Sequence, residues 1–95
     1  MHAWLGIYSD DGKLQTTLGG WKPSHRYAVN EKSMCECSDV YPNIEKKHGY
    51  IARTSFYLYA TTGQVKQMMD FSKQDWRWSL HGNNCSSWVE DAIQK

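Results

Sequence analysis

The chain has no run of about 18 apolar residues, the length a membrane-spanning helix needs, so no span is expected. Its longest basic run is Lys46-Lys47-His48 and its net charge is +1, which gives no electrostatic footprint for nucleic acid. A basic-then-apolar leader is also absent, so no signal peptide is read within these residues. Proline occurs only twice, as Pro23 and Pro42, both between residues 19 and 49. The three cysteines are an odd number, so one closed disulfide framework cannot use them all. Cys35 and Cys37 are two residues apart, where a bridge is strained. Their spacing is wrong for the usual zinc pairs even if His25 or His48 joined them. They read as two free thiols in a loop, with no metal.

Aromatic residues are plentiful instead: five Trp, six Tyr and two Phe in 95 residues. Large rings bury much area each, which helps a small core. The length allows one domain, residues 1–95, with an ordinary globular composition of 40% hydrophobic and 22% charged residues. A strand is expected almost at once, which reads as a domain taken from a longer protein.

Residues 2–8 have the aromatic and branched content of a strand, and Ser9-Asp10-Asp11-Gly12 is a strong turn signal. A second strand over 13–18 completes a hairpin that Gly19-Gly20 ends. Residues 19–49 show no clean period, and so long a loop suits a lid or binding wall. Residues 50–60 predict a further strand. Thr61 followed three residues later by Gln64 forms a capping box, which predicts a helix ending near Lys73. Cys85, Trp88, Val89, Ala92 and Ile93 fall on one helical stripe, behind Asn83 or Asn84 as N-cap. Together these predict an α+β fold, a small antiparallel sheet packed against helices.

The chemistry of interest centres on Cys85. The first turn of a helix offers unsatisfied N–H groups and a positive dipole end, which stabilise a thiolate and a developing oxyanion. A buried structural cysteine fits the same placement. His2, His25, His48 and His81 are the candidate bases, and the residues alone do not choose among them. Trp88 on the helix stripe reads as core. Trp21 and Trp78 are candidates for walling a substrate cleft, although core packing is the simpler role for each.

The segment Gly82-Asn83-Asn84-Cys85-Ser86-Ser87-Trp88-Val89 resembles the nucleophile helix of the NlpC/P60 superfamily of papain-like cysteine hydrolases. His2-Ala3-Trp4-Leu5-Gly6-Ile7-Tyr8 is similar to the histidine strand of its circularly permuted branch, in which that strand precedes the cysteine helix. The likeness covers residues 2–18 and 50–95. It implies a permuted papain-like order, Cys85 as nucleophile, His2 as general base, and no cofactor. An orienting residue is expected on the strand after the histidine strand. That strand offers only Gln15, Thr16 and Thr17, a departure from the family pattern, and Thr17 or Gln15 is expected to orient the ring. The oxyanion hole would use the Cys85 backbone N–H with Asn84.

The resemblance further implies an amidase or peptidase cutting amide bonds in bacterial peptidoglycan stem peptides. Such a domain can be an antibacterial effector, secreted or delivered to a target-cell periplasm and countered by an immunity protein. An acyltransferase or thioesterase, a protein-directed protease toxin and a catalytically inactive binding module are the alternatives on the same fold.

Overall fold

The computed structural model describes residues 1–94. Its elements run β1 (Leu5–Tyr8), β2 (Leu14–Gly20), β3 (Val40–Pro42), α1 (Ile44–Lys47), α2 (Thr62–Phe71) and α3 (Cys85–Ile93). The strands form one antiparallel sheet in the order β1-β2-β3. The fold is thus a small α+β domain of three strands and three helices.

The hairpin forms where the turn residues dictate. Gly12 adopts φ 83, in the left-handed region that glycine enters without a Cβ clash. Gly12 N–H donates to Ser9 O and Ser9 N–H to Lys13 O, both at 2.9 Å. Leu5 pairs with Leu18 and Gly6 with Thr17, and the register slips between Ile7 and Tyr8. Gly19 and Gly20 do not end the second strand, as their type suggested. They continue it and pair with Tyr41 and Val40 of β3. Glycine inside a strand marks a close approach. A Cβ on Gly20 would lie within 2.5 Å of the Trp76 ring, and one on Gly19 would overlap the Glu45 carboxylate.

Side chains alternate across the sheet and feed two cores. Leu18 and Val40 bury themselves with Trp88 and Ala92 of α3, and Met68, Met69 and Phe71 of α2 pack against this group. Trp88 is 1% exposed, and truncating it to alanine should remove about 3–5 kcal/mol. Tyr41 joins Trp21, Ala28 and Ile44 in the second core, fringed by Tyr27 and Tyr50.

The predicted helix ends are met. Thr61 and Gln64 form the complete capping box of α2, and Asn84 caps α3 by accepting from Ser87 N–H at 3.0 Å.

Residues 50–60 are not the expected strand. They run without regular structure, and 51–60 are all exposed. Strand propensity expresses fit to a half-buried pleated surface rather than a backbone preference. This segment gains no ladder partner, although the Tyr57 ring lies 6.4 Å from that of Tyr8. The 19–49 stretch is equally unlike a simple loop, because it contributes β3 and α1.

Candidate active site

Three elements converge at the Gly19 end of β2. His2 arrives from the segment just ahead of β1, outside the ladder that was expected to include it. Cys85 is the first residue of α3. Glu45 comes from α1, a single helical turn whose position is fixed by β2. Asn43 precedes that turn in the left-handed region, at φ 66. Its N–H donates to Thr17 O at 2.8 Å, and its Oδ1 accepts from Thr17 N–H at 3.1 Å. Thr17 Oγ1 accepts from Lys46 N–H at 3.2 Å. Glu45 is thereby carried over Gly19, the one residue type that leaves room for its carboxylate.

The His2 ring is engaged from both sides. Its Nε2 lies 2.6 Å from Glu45 Oε2. The ring also hydrogen-bonds the Cys85 sulfur. Trp21 stacks at 4.2 Å between centroids, tilted by 43°, and Tyr50 meets the ring edge-on at 5.8 Å. Trp21 Nε1–H donates to the same Glu45 Oε2 at 2.8 Å. Glu45 is fully buried, and its Oε1 has no hydrogen-bond partner among the described residues. The carboxylate therefore depends on the two donors that share Oε2.

The electrostatics follow from this packing. Burial pulls the His2 pKa down, but hydrogen bonds to Cys85 and Glu45 and the charge of both outweigh it, leaving the ring near 9. The His2 hydrogen bond pulls the Cys85 thiol down most; burial opposes it, while Ala3 N–H, 3.5 Å from Sγ, and the His2 charge help. The Cys85 pKa settles at about 7. Since about 7 lies below about 9, the pair is thiolate and imidazolium between those limits. It reverts to a thiol below the first and to neutral imidazole above the second. The two protons belong to the pair rather than to either residue alone.

Several expectations about individual residues change. Neither Thr17 nor Gln15 orients the histidine. Thr17 is buried and holds α1 in place, whereas Gln15 is exposed and its amide donates to Ser9 Oγ and Lys13 O within the hairpin. Both face partners other than His2, and the ring is met by Glu45. Asn84 is the N-cap of α3, its Oδ1 committed to Ser87 N–H, which is the role helix geometry demands of that position. Cys85 N–H lies in the first turn, where no intrahelical acceptor exists, so it is open to an oxyanion.

Trp21 is not a cleft wall. It is 5% exposed and braces Glu45 and His2. Trp78 is half-buried under Lys22, whose Nζ lies 6.0 Å from the ring centroid. Of the other histidines, His25 packs edge-on against Trp21, His48 stacks on Tyr27 at 3.9 Å and His81 is exposed.

Glu45 escaped sequence reasoning because it falls in the 19–49 stretch, which shows no clean period and reads as a loop. The available signal was Gly19-Gly20, a doublet inside a strand pattern that announces a neighbour pressed against the backbone. Among the described residues no cluster of three or more His, Cys, Asp or Glu fits a metal ion. No helix among them is long and apolar enough to cross a membrane. No family model matches the chain, and no curated protein or solved structure is significantly similar to it.

Proposed function

We propose that this protein is a cysteine hydrolase built in the permuted papain-like order, with Cys85 as nucleophile, His2 as acid and base, and Glu45 as the group that orients and charges the ring. One observation carries this reading: Cys85 and Glu45 both engage the His2 imidazole. Buried structural cysteines have no need of such a pairing, whereas nucleophilic catalysis requires nucleophile, base and orienter in one chain of contact.

The thiolate attacks a substrate carbonyl carbon, and its oxygen takes up negative charge beside the Cys85 N–H. As the tetrahedral intermediate collapses, the carbonyl–nitrogen bond breaks and a His2 ring proton passes to the departing amine. A thioester on Cys85 remains. Neutral His2 then takes a proton from water, whose oxygen attacks the thioester and releases the acid. Glu45 stays against Nε2 and holds the ring in place through both steps.

The substrate reading, bacterial peptidoglycan stem peptides cut by an effector domain delivered to a target-cell periplasm, rests on the resemblance of the Asn84-Cys85 and His2 segments to the NlpC/P60 superfamily. An immunity protein closing the site belongs to the same reading. Purified peptidoglycan incubated with the protein should release new amine termini, and Cys85→Ala should abolish the release. Cleavage of protein substrates with muropeptides left intact would overturn the substrate while sparing the mechanism. Release that survives Cys85→Ala would overturn both.

A second reading, an acyltransferase or thioesterase on the same pair, is favoured by the exposed apolar residues Ile51, Phe56, Tyr57, Leu58 and Tyr59. They follow directly on Tyr50, which edges onto His2. A labelled acyl ester leaving its label on Cys85 and passing it to an amine would select that reading.

A further inference from the structure

Cys35 and Cys37 lie outside the candidate active site, and their arrangement differs from that of two loose thiols. Ser38 N–H donates to Cys35 O at 3.0 Å, closing a turn with Cys35 at its first position and Cys37 at its third. Such a turn draws its ends to within about 7 Å. Positions one and three then fall in the Cα separation, roughly 4.4–6.8 Å, that a disulfide spans.

The turn is held from several directions. Ser33 Oγ donates to Cys35 O at 2.6 Å, Trp76 N–H donates to Cys37 O at 3.1 Å, and Arg77 Nη2 donates to Glu36 O at 2.6 Å. Ser38 Oγ donates to Ser72 O at 2.9 Å. Under these restraints both sulfurs point the same way. Cys35 Sγ donates to Lys73 O at 2.8 Å and Cys37 Sγ to the same oxygen at 3.5 Å. Both sulfurs thus lie within hydrogen-bonding reach of one carbonyl oxygen. Cys37 is exposed and Cys35 half-buried, so an incoming reagent reaches the pair.

We propose that Cys35 and Cys37 form a redox-active dithiol, which closes into a disulfide across its own turn by exchange with a small-molecule disulfide. The step is balanced. The Cys35 thiolate attacks one sulfur of the reagent, whose S–S bond breaks and expels the first thiolate. Cys37 then loses its proton and attacks the Cys35 sulfur of the mixed disulfide, expelling the second thiolate. Two protein thiols are oxidised, one reagent disulfide is reduced to two thiols, and the two protein protons end on those thiols. A bridge over so short a span is strained and exposed, the type that is easily reduced again rather than a structural staple. Closing it removes both S–H donors from Lys73 O, just beyond α2, so the redox state is felt where the connector to Cys85 begins.

The test uses the full chain carrying Cys85→Ser, which leaves only these two thiols. Graded mixtures of reduced and oxidised glutathione, quenched with iodoacetamide and read by mass spectrometry, should show two alkylations falling directly to none. The closed species should be lighter by two hydrogens and carry no glutathione. Adding Cys35→Ser should instead trap one glutathione on Cys37. Peptide mapping of the unaltered chain reads the same Cys35–Cys37 bond should Cys85→Ser fail to fold. Glutathione retained on either sulfur of the pair, bridges between chains, or two alkylations at every ratio would overturn the proposal.

Discussion

Two sulfur sites in this small domain titrate in opposite directions. Cys85 is pulled down to about 7, chiefly by its hydrogen bond to His2. Cys37 is pushed up, chiefly by its hydrogen bond to Cys35. Exposure does not account for the contrast, because burial opposes ionisation at Cys85 and the fall occurs regardless. The neighbour decides. An imidazole hydrogen-bonded to Glu45 offers a proton to a thiolate, whereas a second thiol sharing one carbonyl favours the protonated form of its neighbour.

The sharpest way to break the comparison is His2→Gln, which keeps a polar side chain near Glu45 but cannot become a cation. The Cys85 thiol should return toward its ordinary value. Iodoacetamide labelling at neutral pH should then fall roughly ten- to fifty-fold as the thiolate fraction collapses. Under the proposed mechanism, turnover should fall further, by about 10²–10⁴, because His2 would also be the acid and base. Labelling that stays fast would detach the low Cys85 value from the histidine.

Glu45→Gln tests the next contact outward. The amide is nearly isosteric but uncharged, so two of the influences raising His2 weaken. For the unaltered protein a bell-shaped rate profile is expected, rising through about 7 as Cys85 ionises and falling through about 9 as His2 loses its proton. In Glu45→Gln the falling limb should move down by about one unit or more, and the rising limb by less. A profile left in place would reduce Glu45 to a packing residue.

The smallest effect belongs to the other pair. Cys35→Ser should bring the Cys37 thiol down toward its ordinary value, seen as labelling that begins at lower pH, while Cys85 labelling stays unchanged. A shift at Cys85 would mean that the two sites communicate through the 74–84 connector.

Local chemistry was readable in advance and distant chemistry was not. The Gly12 turn, the Thr61–Gln64 capping box and the α3 stripe are written in residues a few positions apart, and the structure contains each of them. Glu45 meets His2 across 43 positions, through a helical turn too short to leave a periodic signal. The three residues of β3 are likewise too few for alternation to show. Residues 50–60 fail in the opposite sense: their composition describes a strand, but pairing depends on a neighbour that the segment itself does not specify. The Asn84-Cys85 motif pointed to the start of α3, yet Glu45, the partner of His2, had to be found in space.

The unpaired stretch from 51 to 60 divides the domain in a particular way. His2 and Glu45 lie before it and Cys85 after it, while α3 packs directly on β2 across the division. Proteases nick exposed, unpaired backbone first. A single cut there would place Cys85 on one polypeptide and His2 and Glu45 on the other, joined by the Leu18–Trp88 core and by the contacts of Cys37, Ser38 and Asp39 with Ser72, Trp76 and Arg77. The lowered Cys85 pKa would then become an assembly property, recoverable by mixing the two fragments and lost on dilution.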